Sequence, residues 1–160
     1  LLDEHEEVGR LVVYAAFTAS IDRVVDICKK YQWDVIRVDG RGWHWTGMEP
    51  KTDLEMLKIF QKQVDYANRV VFVGHPGSAG MGLTLTASPS IVYWSNDFNA
   101  ESRIQSEDRI HRAGMDTARG ATIIDLIHLP TDKLVLENLK KKRELQSITL
   151  GELQECLNNA

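Results

Sequence analysis

Two cysteines and four prolines in 160 residues give no covalent scaffold to reason from. Cys28 and Cys156 stand far apart, with no CxxC spacing and no histidine pattern beside them, so neither a disulfide framework nor a zinc site is read here. A run of about eighteen apolar residues, the length a membrane helix requires, is also missing. The opening LLDEHEEVGR is acidic where a secretory signal would be basic. These absences predict a soluble protein, away from membranes, in a reducing intracellular setting. Positive charge is in deficit: 19 Lys and Arg stand against 23 Asp and Glu, for a net charge of −4. Any nucleic-acid contact must therefore be local. The phosphate-loop pattern GxxxxGK[ST] occurs nowhere, so the chain alone is not expected to be a complete ATPase.

What is present fits one globular domain. Apolar residues make up 43% and charged residues 26%, enough to bury a substantial core. The whole of 1–160 is expected to fold as one unit, with 1–10 a leading linker or helix end and 148–160 a C-terminal extension. The helical-looking start suggests a piece of something longer. Five apolar runs read as strands: 11–17, 34–38, 69–73, 90–94 and 121–127. Between them, helical spacing predicts helices from a Thr18 or Ser20 cap to Tyr31, from a Thr52 or Asp53 cap to Ala67, over 99–113, and over 131–147. The expected apolar sides are Ile21, Val24, Val25 and Cys28; then Leu54, Leu57, Ile59, Phe60 and Val64; then Leu134, Leu136, Leu139 and Leu145. Residues 150–157 either add a last helix or are mobile. Residues 41–51 (RGWHWTGMEPK) read as an aromatic loop, its tryptophans packing on the domain or meeting a partner. Strands alternating with amphipathic helices imply a three-layer α/β/α fold around a mostly parallel sheet, because parallel neighbours need crossover connections. Ligands then bind beyond the carboxyl ends of the strands, near 74–82, Asp97 and Asp39.

Three groups could carry chemistry. Gly77, Gly80 and Gly82 fall in GSAGMG, where missing β-carbons let backbone amides approach a phosphate or another chain; the plainer alternative is a turn that needs positive φ. Gln105, Arg109 and Arg112 recur at helical spacing and would share a face. Guanidinium suits phosphoryl oxygens, but the arginines could equally pair with Glu101, Glu107 or Asp108 at the surface. His111 has no second ligand at metal spacing and reads as polar or packed. The run Lys140 to Arg143 is a solvated helix end or a nucleic-acid contact.

Taken together, residues 11–146 resemble the second RecA-like lobe of a superfamily-two helicase, and within that group the Swi/Snf-like DNA-dependent ATPases. QSEDRIHRAGM at 105–115 is similar to the family's Q-x-x-D-R-x-H-R-x-G-Q, with Met115 in place of glutamine. SAGMGLTLTAS at 78–88 resembles A-G-G-x-G-L-N-L-T, with Thr84 for asparagine, and DFNAESRIQ at 97–105 resembles D-x-x-W-N-P. An arginine that the family commonly carries near WHWTGMEPK is not evident.

The resemblance implies a helicase C-terminal domain acting on ATP and Mg2+ held mainly by an N-terminal RecA-like lobe of the same polypeptide. Arg109 and Arg112 would act as catalytic arginine fingers; Gln105, Gly80, Gly82 and Asp108 would serve the nucleotide side; Ser78, Thr84 and Thr86 would contact DNA, single- or double-stranded. It implies an inactive, monomeric isolated domain with a cytoplasmic location: nucleoid-associated in a bacterial or phage setting, nuclear in a eukaryote. Two rivals stay open. A dinucleotide-binding enzyme would use Asp97, twenty positions after Gly77, but its glycines should read GxGxxG and LTLTASP is too short for a crossover helix. A non-catalytic interaction domain would use Trp43 and Trp45.

Overall fold

The computed structural model describes residues 1–66, 68–78, 82–111 and 120–158, with 148–158 described by backbone only. Six strands form one sheet: β1 (Arg10–Tyr14), β2 (Asp34–Asp39), β3 (Gly42–Trp45), β4 (Val70–Gly74), β5 (Ser90–Tyr93) and β6 (Thr122–Asp125). Their order is β3-β2-β4-β1-β5-β6, parallel except for the edge strand β3, which runs antiparallel to β2. The expected mostly parallel α/β architecture is therefore what the chain adopts.

Each central strand is buried on both faces, and its alternating side chains feed two cores. Val12 and Tyr14 of β1 join Phe72, Tyr93 and Phe60 on one side; Leu11 and Val13 join Val71, Val92 and Trp33 on the other. Helix α1 (Thr18–Lys30) covers the second face through Ile21, Val24 and Cys28. Helix α2 (Asp53–Phe60) covers the first through Met56, Ile59 and Phe60. Helix α3 (Ala100–Glu107) follows β5, and α4 (Pro130–Asn158) continues without a break through the stretch expected to be a separate tail.

Several local expectations are corrected. Phe17, not Thr18 or Ser20, occupies the cap position of α1, and no side chain caps that end. At α2 the threonine does cap: Thr52 accepts from the Glu55 amide while Glu55 reaches back to the Thr52 amide. That helix stops at Phe60 rather than 67. The chain leaves it through Lys62 at φ 57, with Lys62 N–H donating to Ile59 O at 3.1 Å and Gln63 N–H to Lys58 O at 2.9 Å, the paired bonds of a Schellman end. Leu54 and Val64 therefore point outward, as do Leu134 and Leu145 of α4.

Residues 42–45 are a strand, not a loop. Trp45 is buried edge-on to Tyr66, Trp43 packs edge-on to Phe72, and His44 between them is exposed, the alternation of a half-buried edge strand. Both tryptophans thus serve packing. Among the described residues, no helix is long and apolar enough to cross a membrane.

Candidate functional site

The chain visits β4 on one side of β1 and then crosses to β5 on the other, so the segments after these strands flank the carboxyl end of β1. A crevice outside such a reversal is where α/β sheets hold ligands. The third expected approach, at Asp39, is closed by its own charges: Arg41 bonds Asp39 at 2.6 Å and Asp22 of α1 at 2.7 Å.

After β4, the backbone needs glycine twice. A β-carbon on Gly74 would lie 2.7 Å from the Val38 carbonyl oxygen of the neighbouring strand, inside contact distance. Gly82 sits at φ 101, a conformation other residues rarely adopt. Between them, Gly77 N–H donates to His75 Nδ1 at 3.0 Å, and His75 Nε2 lies 3.7 Å from the carboxylate of Asp97 beyond β5. The acid that a dinucleotide reading would assign to a ribose thus faces a histidine. Ser78 is half-buried, its amide bonded to His75 O at 3.1 Å. Gly80 and Arg112 lie outside the described residues.

Asn99 caps α3 by accepting from Ser102 N–H at 3.0 Å. The helix ends at Glu107 instead of 113, because Arg109 and Ile110 donate to Ser106 O and Glu107 O, three residues back, and tighten the chain into a turn. Gln105 and Arg109 consequently do not share a face. Gln105 is exposed and bonds Glu101 at 3.2 Å; Asp108 is exposed; Arg109 is buried at 6% exposure. His111 is exposed, and no metal-binding group of three occurs among the described residues.

Of the carboxylates offered as partners for the arginine pair, Glu101 and Glu107 are used elsewhere. Buried Glu107 takes Arg103 Nε at 2.6 Å and Arg143 of α4 at 2.9 Å. Arg103 also bonds Asp125 at 2.6 Å and Asn96 at 2.7 Å, and its guanidinium lies 3.4 Å from the Tyr93 ring centroid. Burial alone would weaken that guanidinium's hold on its proton, but Asp125, Tyr93 and Glu107 outweigh it and the net shift is upward. In the basic run of α4, Arg143 and Lys142 are both engaged, Lys142 with the Phe98 carbonyl at 2.7 Å.

Arg109 differs. Among the described residues no carboxylate pairs with it. Its charge instead acts on Tyr14, whose hydroxyl is fully buried and has no hydrogen-bond partner there. Burial first, and Tyr93 alongside, oppose ionisation of that hydroxyl, and the Arg109 charge works against both. Through its backbone Arg109 reaches the glycine-turn segment: Leu85 N–H donates to Arg109 O at 2.9 Å. Leu85 is buried, while Thr84 and Thr86 on either side are half-buried. Sequence reasoning passed over Arg10, Tyr14, Gln61, His75 and Arg103. Of these only Arg103 left a readable trace, its four-residue spacing to Glu107.

A six-stranded, mostly parallel sheet thus carries a glycine turn after β4 and an arginine turn after α3, joined through Leu85 and Arg109. No family model matches the chain. It is 24% identical over 150 residues to the CHD3-type chromatin-remodeling factor PICKLE of Arabidopsis thaliana, covering 93% of this chain and 10% of that protein. It is 27% identical over 136 residues to the ATP-dependent helicase fft2 of Schizosaccharomyces pombe, covering 85% of this chain and 10% of that one. The chain spans about a tenth of the length of these relatives. Among solved structures, the C-terminal part of the Fun30 ATPase domain superposes with a TM-score of 0.64 at 17% identity, over 87% of this chain and 41% of that one. The relatives are thus Swi/Snf-family chromatin-remodeling ATPases and helicases, and the fold is similar to the C-terminal lobe of such an ATPase.

Proposed function

We propose that this chain is the second motor lobe, spanning 1–160, of an ATP-dependent DNA helicase or translocase. The observation that carries the reading is Arg109: a guanidinium withdrawn from water near the Tyr14 hydroxyl, with no carboxylate partner among the described residues while Glu101 and Glu107 are engaged elsewhere. Burying a cation is costly, and an anion arriving beside it offsets part of that cost. A phosphoryl group is the anion that a planar guanidinium fits best.

ATP and magnesium are assigned to a first lobe, because this chain has no phosphate loop. Arg109 and Arg112 would reach across to the γ-phosphoryl oxygens and neutralise the charge that grows there in the transition state. Gln105, Asp108, Gly80 and Gly82 would complete the nucleotide side. Ser78, Thr84 and Thr86 would meet the DNA backbone on the other side of the same turn. The location follows the DNA, and the isolated lobe is expected to be monomeric.

The test is ATP turnover with and without DNA. The full-length polypeptide should hydrolyse ATP in response to DNA, and residues 1–160 alone should be silent. Strong turnover by 1–160 alone would refute the two-lobe assignment.

A further inference from the structure

Gln61, the residue that closes α2, makes contacts that none of the motif residues accounts for. Its Nε2 donates to the Thr84 carbonyl, and its Oε1 accepts from Ala87 N–H at 3.1 Å and, at a long 3.5 Å, from the Thr86 hydroxyl. One side chain thus holds both ends of the segment 84–87 by its polar atoms. On its other side the same segment is held by Leu85 N–H donating to Arg109 O at 2.9 Å.

Gln61 is itself fixed. Buried Arg10 donates from Nε to Phe60 O and from a terminal nitrogen to Ile59 O, each at 2.8 Å, and so satisfies the last carbonyls of α2. The Schellman bonds at Lys62 and Gln63 close the helix from the other direction. A side chain anchored this firmly at its base transmits position instead of absorbing it.

We propose that Gln61 is a positioning residue for the motor reaction, clamping Thr84–Ala87 between the end of α2 and the Arg109 carbonyl so that DNA held by this segment sets the placement of the arginine turn. The inference rests on the function proposed above and goes beyond it in naming the residue that couples DNA to hydrolysis. Gln61 touches neither ATP nor DNA; it acts through the threonine segment.

The experiment compares Gln61→Met and Gln61→Glu in the full-length polypeptide, reading the ratio of DNA-stimulated to DNA-free ATP turnover. Methionine keeps the volume and loses every polar contact. Glutamate keeps the acceptor for Ala87 N–H and loses the donor to Thr84. The ratio should fall about tenfold in Gln61→Met, the scale of one or two neutral hydrogen bonds, and by less in Gln61→Glu. The DNA concentration for half-stimulation should rise in the same order. A purely structural Gln61 would lower the folded fraction and scale both rates alike, leaving the ratio intact. An intact ratio in Gln61→Met, or a Gln61→Glu no better than it, overturns the inference while a DNA-responsive wild type preserves the function. A wild type indifferent to DNA overturns both.

Discussion

Two arginines six residues apart are drawn beneath the surface in opposite ways. Arg103 is saturated: two carboxylates, an asparagine oxygen and an aromatic face surround it, and through Glu107 it ties α3 to α4. Arg109 has a tyrosine hydroxyl for company and no carboxylate among the described residues. Folding alone accounts for the first arrangement, since each polar group there recovers in contacts what it loses in hydration. The second suits the role proposed for Arg109, because a donor meant for charge that appears only during a reaction would be left without a carboxylate at rest.

The contrast is most exposed to test at the reaction itself. Arg109→Ala in the full-length protein should reduce DNA-stimulated turnover by about 10³-fold, the scale of a lost arginine finger, and Arg112→Ala should match it. Melting of the domain should hardly move in Arg109→Ala; a collapse of the fold there would make both arginines structural and end the comparison.

Arg103→Ala should behave in the reverse sense. Among the described residues it leaves buried Glu107 with only the exposed Arg143 and half-buried Asp125 with only Asn96, so the free energy of unfolding by urea should drop by about 3 kcal/mol. A loss near zero would mean that the surrounding carboxylates find water easily, and saturation would no longer distinguish the two sites.

The smallest effect calibrates both against an arginine at the surface. Hydrogen bonds from Arg41 hold the Asp39 carboxyl below the ordinary carboxylate range, against the opposing effect of its burial. Because the folded value lies under the unfolded one of about 3.9, this contribution is complete above the unfolded value and is lost as pH falls through the folded one. Asp39→Asn should flatten the acid limb of a stability–pH curve by lowering stability slightly near neutrality, and leave it unchanged below the folded value.

The sheet was legible in the sequence because its central strands are buried on both faces and read as unbroken apolar runs. The edge strand β3 was not, since Gly-Trp-His-Trp is too short and too aromatic to separate from a packed loop until Ile36 and Val38 are seen opposite it. The end of α2 was misplaced for a different reason. Val64 continues the apolar spacing, and the bonds that close the helix come from the turn at Lys62 and from a guanidinium fifty positions away in β1. At the site, spacing suggested that Gln105 and Arg109 would face one way, and only the three-residue turn at 108–110 shows them parting. The saturation of Arg103 depends on Asp125 and Tyr93, contacts made by strand pairing and invisible to any local pattern.

The length of α4 has a mechanical meaning. At 1.5 Å per residue, a helix from Pro130 to Asn158 is about 44 Å long. Its contact with α3 is made near the middle, where Arg143 meets Glu107 and Lys142 meets the Phe98 carbonyl. From that fulcrum the helix runs on for about 22 Å to Asn158. Over that arm a tilt of about 5° corresponds to about 2 Å at the far end. Glu107 is two residues from Arg109, so the arginine turn and the point from which the rod projects share one short piece of chain.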